Sequence, residues 1–147
     1  MLKILLMAHL ILIATGTGMA FANFVNLRIA DGAVGEAAKA FARSRMVLAR
    51  IADMLIALIW ITGFALLWTR ALEGLDTSSG YFYAKLGFVV LLTLCHGMAR
   101  ATGGKMARTG DASLHGRLEL FVSGVWLSAL LAIVLAVLAF DKTGLPG

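Results

Sequence analysis

Phe82-Tyr83-Ala84-Lys85-Leu86-Gly87-Phe88-Val89-Val90-Leu91-Leu92-Thr93-Leu94-Cys95-His96-Gly97-Met98-Ala99 is an apolar run of membrane-spanning length with a lysine near one end and a histidine near the other. A helix rising about 1.5 Å per residue needs roughly 18 to 20 such residues to cross the hydrocarbon core. Lysine inside a span costs roughly 2.5 to 3.5 kcal/mol, so an ionisable residue there is read first as functional. Lys85 and His96 are eleven positions apart, which is about 20° beyond three full helical turns and about 16 Å of rise. One helix face therefore carries both.

The rest of the chain extends this reading. Of 147 residues, 61% are apolar and 14% charged, with a mean hydropathy of +0.91, well below the roughly one-quarter charged residues of soluble domains. Apolar windows at Leu2–Leu27, Val47–Trp68, Phe82–Ala99 and Leu118–Phe140 (2–27, 47–68, 82–99 and 118–140) predict an all-α membrane protein, a single four-transmembrane-helix bundle filling 1–147. Lys3, an apolar stretch and Ala20-Phe21-Ala22 also fit a cleaved signal peptide, but the run exceeds a usual signal core of about 7 to 15 residues and contains a histidine. It is read as the first span.

Arg28, Lys39, Arg43, Arg45 and Arg50 flank the first connection, Arg100, Lys105, Arg108 and Arg117 the third, and Arg70 alone the second. The positive-inside rule then gives an N-out/C-out arrangement. The net charge of +5 is accordingly a topology and lipid signal, with nucleic acid excluded as a partner. Ala33–Arg45 is expected to lie on the cytoplasmic surface or to extend the second span. Cys95, the single cysteine, excludes an intrachain disulfide.

Within the first span His9, Gly16 and Asn23 recur every seven residues and form a narrow polar and small stripe. His9 reads as a haem or substrate ligand, or as a histidine bonded to a nearby carbonyl. The small-xxx-small pairs Gly16/Ala20 and Ala14/Gly18 favour close helix packing. In the second span Asp53 is expected to neutralise Arg50 three residues away, with Trp60 following on the Asp53 side. The alternative has Asp53 accepting protons while Arg50 holds a carboxylate. Trp68, Tyr81, Phe82 and Tyr83 read as an interfacial aromatic belt. His115 is expected to be solvated, and Arg117 to pair with Glu119.

Counting depth from the span ends puts His9 and Lys85 in the outer half and His96, Arg28, Arg50, Asp53 and Arg100 towards the cytoplasmic end. The two histidines differ by roughly 10 Å in depth, too far for the two axial ligands of one iron. The inner cationic group suits an anionic ligand with an apolar body, such as a porphyrin with two propionates. No P-loop, Rossmann fingerprint, CxxC or HExxH is present.

Ser79-Gly80-Tyr81, Lys85-Leu86, Val89, Leu91-Leu92, His96 and Arg100 resemble the third-span signature of the HemJ-type protoporphyrinogen IX oxidase family. His9-Leu10, the basic run into Arg50, Gly63, and Ala136-Val137-Leu138 with Lys142 and Pro146 also fall where that family has like residues. The chain departs from it in lacking the first-span aromatic motif and the fourth-span Asn-Glu-x-Pro motif. The resemblance implies oxidation of protoporphyrinogen IX to protoporphyrin IX, bound haem b, and electrons passed to the respiratory chain. His9, Lys85 and His96 would be the catalytic positions and His9 and His96 the iron ligands, while Arg28, Arg50 and Arg100 of the inner cationic group are expected as further haem contacts. It further implies a multi-pass protein of the bacterial inner membrane, with membrane lipid, a tetrapyrrole, a respiratory-chain or other membrane-complex partner and a second copy of the chain as expected partners. The reading from a different class is a non-catalytic small membrane subunit or assembly factor. A copper-handling or transport protein using Met7, Met19, Met54 and Met98 is a third, disfavoured by the absence of a shared methionine motif.

Overall fold

The structure, a computed structural model, describes residues 2–72 and 80–142, with side chains through Leu138. Ser79 and Pro146 lie outside the described residues. Four helices dominate: α1 (Leu2–Ile29), α2 (Gly35–Leu72), α3 (Gly80–Thr109) and α4 (His115–Lys142), with a single 3₁₀ turn at Ala112–Leu114. Each is long and apolar enough to cross a membrane. The fold is all-α, and the chain is a multi-pass membrane protein.

Its surface explains why lipid is the solvent. Ile4, Met7, Ile11, Phe64, Trp68 and Leu120 all stand more than half exposed, a spread of apolar surface that water-soluble monomers do not tolerate. Helices satisfy their own backbone groups, so such a surface is compatible with hydrocarbon. The helices also overrun their apolar windows. From Gly35 onward the Ala33–Arg45 segment belongs to α2 and extends the second span, and α3 continues ten residues past Ala99 to Thr109.

Packing is uneven along the bundle. Leu27, Leu118 and Val122 are nearly inaccessible and carry Phe24, Ala99 and Met106 against them, which locks α1, α3 and α4 together at one end. Phe21 and Phe24 lie on Trp126 with ring centroids 5.7 Å apart, and Arg28 pairs with Glu119 across α1 and α4 at 2.5 Å. Glu119 thus takes Arg28 rather than the Arg117 two residues away, because positions i and i+2 on a helix do not face each other. His115 is half-buried and 3.9 Å from Asp31, so it lies at a helix junction and not in open solvent.

α2 is attached differently. It holds no buried residue among those described, packs along α1, and is tied there by Asn26 Nδ2 donating to Ser44 Oγ at 3.0 Å. Its backbone stands apart from α3.

The α3–α4 corner is built by local chemistry. Gly110 ends α3 with a φ of +66°, a left-handed conformation that costs other residues roughly 1 to 2 kcal/mol, while its N–H bonds Met106 O at 2.9 Å. Asp111 then caps the 3₁₀ turn, accepting from Ser113 Oγ at 2.6 Å and from Ser113 N at 3.0 Å. The Ser113 hydroxyl, then its backbone N–H, hold the Asp111 carboxyl below its ordinary value of 3.8. A depressed carboxyl favours the folded corner above its unfolded pKa and loses that contribution as pH falls through the folded one. An NMR titration of Asp111 is expected to show the lowered midpoint, and Ser113→Ala to return it towards 3.8.

Candidate ligand cavity

The helices enclose a cavity of about 630 Å³ lined by all four of them, within the range of small-molecule sites. Most of its wall is aliphatic. The polar exceptions are His9, Thr17, Asn23, Trp60, Arg70, Lys85 and His96, and no aspartate or glutamate is among the described lining residues. The sequence stripe His9, Gly16, Asn23 therefore faces the cavity, as do both ends of the Lys85 and His96 face.

His9 meets α2 at Thr62, with Nδ1 2.7 Å from Thr62 Oγ1. Thr62 has one hydroxyl proton, and it goes to Leu58 O at 2.7 Å. With that proton on the helix carbonyl the hydroxyl accepts from His9, and the tautomer assigned from this network carries its proton on Nδ1 and its lone pair on Nε2. The ring packs directly on α2 at Gly63, where a Cβ would meet His9 Cε1 at 3.4 Å, an ordinary van der Waals distance. Metal-ligating histidines likewise donate one ring N–H to an orienting acceptor and ligate through the other nitrogen.

His96 is committed elsewhere. Its Nε2 lies 2.6 Å from Asp53 Oδ1, and Arg100 reaches Asp53 Oδ2 at 3.3 Å. The expected Arg50–Asp53 pair is replaced by this bridge between α2 and α3. An i,i+3 pair on one helix contributes only a few tenths of a kcal/mol, whereas the interhelical bridge meets two donors of α3 that otherwise face a low-dielectric seam. Arg50 itself is exposed and does not line the cavity.

Seven residues after Asp53 on the same side, Trp60 Nε1 donates to Thr93 Oγ1 at 3.1 Å. Thr93 gives its own proton to Val89 O at 2.8 Å. These contacts also set depth: the His9 contact at Thr62 and the His96 contact at Asp53 are nine residues apart on α2, about 14 Å of rise. The histidines stand at different levels of one cavity.

Lys85 stands near the His9 level, its Nζ 5.2 Å from the Phe82 ring centroid in cation–π range. Phe82 lines the cavity, so it is part of the site as well as the aromatic belt, while Trp68 and Tyr83 are exposed. Asn23 Oδ1 is buried with no hydrogen-bond partner among the described residues. Of the cations expected together near the cytoplasmic end, Arg28 is held by Glu119, Arg100 by Asp53, and Arg50 is exposed. The cations on the cavity wall are Lys85 and Arg70. Sequence reasoning missed Arg70, read only as a loop charge, and Thr62, for which one-helix periodicity gives no signal.

Comparison with models of protein families, with curated proteins and with solved structures gives no match. The chain stands, on its fold, as a four-helix membrane protein. Its function is argued from the cavity.

Proposed function

We propose that the protein binds a tetrapyrrole dicarboxylate in this cavity, holding haem b through His9, and that it oxidises protoporphyrinogen IX to protoporphyrin IX in a bacterial inner membrane with electrons leaving to the respiratory chain. The observation that carries the reading is His9, whose Nε2 is open on the wall of a large apolar cavity without carboxylates. The residues present fit the group. His9 would ligate the iron, Thr62 would fix the imidazole, and Lys85 with Arg70 would face the propionates. When bound, haem supplies a one-electron redox centre.

The chain's own residues supply the rest. Lys85, with its ammonium at the cavity wall, neutralises an acid that would otherwise be expensive in hydrocarbon. His96 Nδ1 is the acceptor nitrogen left by the Asp53 bridge, and it can hold a proton released in the cavity and return Nε2–H to Asp53. With the N-terminus outside, Lys85 and Arg70 would face the carboxylates of the ligand from the outer half of the cavity. This placement moves the propionates from the cytoplasmic rim to the Lys85 end, because Arg28, Arg50 and Arg100 are not among the described lining residues.

The test is an absorption spectrum of the detergent-purified protein, as isolated and after addition of haemin. A b-type Soret band is expected, and its absence under both conditions rejects the haem assignment. Rescue of haem synthesis in a strain lacking its protoporphyrinogen oxidase tests the reaction, and failure with normal membrane expression rejects the enzyme while leaving binding to the spectrum. Lys85→Met is expected to weaken binding of protoporphyrin IX about tenfold, the scale of one charge-assisted bond. Binding of its dimethyl ester should barely change, which separates lost charge from lost packing.

A further inference from the structure

We propose that the cavity is filled from the side, by a membrane-dissolved amphiphile with an apolar body and a carboxylate that passes between α2 and α3. The identity of that amphiphile as a tetrapyrrole rests on the reading above, but the route does not. Among the described residues, backbone packing joins α1 to α2, α1 to α4 and α3 to α4, and no comparable packing joins α2 to α3. Side chains cross that seam instead. At one level it is pinned by the charged Asp53 bridge to His96 and Arg100. Seven residues further along α2 it is held by the neutral Trp60–Thr93 hydrogen bond.

The lips of this seam are apolar. Trp60 and Phe64 stack with centroids 5.4 Å apart on the α2 side, and Leu86 and Val89 line the α3 side. Phe64 both lines the cavity and is 59% exposed, so it stands at an opening rather than in a wall. Both helices keep their own backbone hydrogen bonds when they separate, so parting them about the Asp53 bridge breaks, at the Trp60 level, the neutral bond to Thr93. Apolar lips admit a ring or chain from hydrocarbon and resist a hydrated ion. Charge complementarity selects the head: Lys85 and Arg70 line the cavity and no described carboxylate does.

The route is tested by closing the seam reversibly. Trp60→Cys and Thr93→Cys are introduced together with Cys95→Ala, and the pair is joined by a short bis-methanethiosulfonate linker that dithiothreitol removes. The protein is reconstituted in vesicles, and protoporphyrin IX is supplied in a second vesicle population and followed by quenching of tryptophan fluorescence. Linked protein is expected to load at least tenfold more slowly than the same protein after dithiothreitol. A Phe21→Cys/Trp126→Cys pair, which links α1 to α4 at the closed end, should leave the rate unchanged. Should the first pair fail to assemble, Phe64→Cys with Val89→Cys closes the same seam.

Equal rates in linked and reduced protein overturn the route. If unlinked protein takes up no porphyrin, the tetrapyrrole reading fails, and pyrene decanoic acid, an apolar body with one carboxylate, reads the route in the same vesicles. Linker-sensitive uptake of that probe sustains lateral access, and linker-insensitive uptake or none overturns it.

Discussion

Purified His9→Ala protein is expected to lose at least nine-tenths of its haem absorbance, while His96→Ala keeps a Soret band. The asymmetry follows from which nitrogen each histidine has to offer. In His9 the Thr62 hydroxyl, already donating to Leu58, takes the Nδ1 proton and leaves Nε2 unshared. In His96 Nε2 is held at 2.6 Å by Asp53, which leaves Nδ1, the nitrogen assigned above to proton transfer and not to the iron. The two also stand about 14 Å apart in depth along α2, so they do not serve one iron from opposite faces. Addition of imidazole to His9→Ala should restore part of the band, which a misfolded bundle would not permit. Thr62→Val should keep the band with affinity lowered about 10- to 100-fold, the usual effect of removing a ligand's orienting partner. A band unaltered in His9→Ala and lost in His96→Ala would assign the iron to the Asp53 side and reject the proposed site.

The same residues show how far the sequence could be read. Apolar runs of spanning length define all four helices, because length and hydropathy are local properties. Seven-residue spacings also survive: His9, Gly16 and Asn23 do share the cavity wall, and Asp53 and Trp60 do face one neighbour, α3. What local spacing does not contain is the neighbour itself. Arg50 and Asp53 look like a pair on one helix until α3 brings His96 and Arg100 within reach, and Glu119 looks like the partner of Arg117 until α1 delivers Arg28. In lipid the inward and outward faces of a span are both apolar, so apolar periodicity does not mark which face packs. The separation of α2 from α3 was invisible for the same reason.

Gly124→Ala is expected to destabilise the bundle by about 1 to 3 kcal/mol, the range for overpacking a close seam, and to lose that cost in a Cys95→Ala background. A Cβ at Gly124 would lie 2.9 Å from Cys95 Sγ but 3.5 Å from Cys95 Cβ. The sulfur alone makes the contact too short, and the β-carbon sits at ordinary van der Waals distance. Cys95 is buried in the α3–α4 seam, where most of the bundle's interhelical packing lies, so α4 meets the sulfur wherever backbone approach is closest. In water the change from glycine to alanine would favour a helix by about 1 kcal/mol. Spans unfolded in sodium dodecyl sulfate keep their helices, so that propensity largely cancels and packing decides the sign. The check is a double-mutant cycle by dodecyl sulfate titration in mixed micelles, with coupling between the two sites of about 1 to 3 kcal/mol expected. Cys95→Ser should rescue in part, because its oxygen is smaller than the sulfur and stands nearer the β-carbon. A stabilising Gly124→Ala in the wild-type background would mean that the Cys95 side chain swings aside freely, and that the α3–α4 seam is looser than the anchor on which the opening of α2 depends.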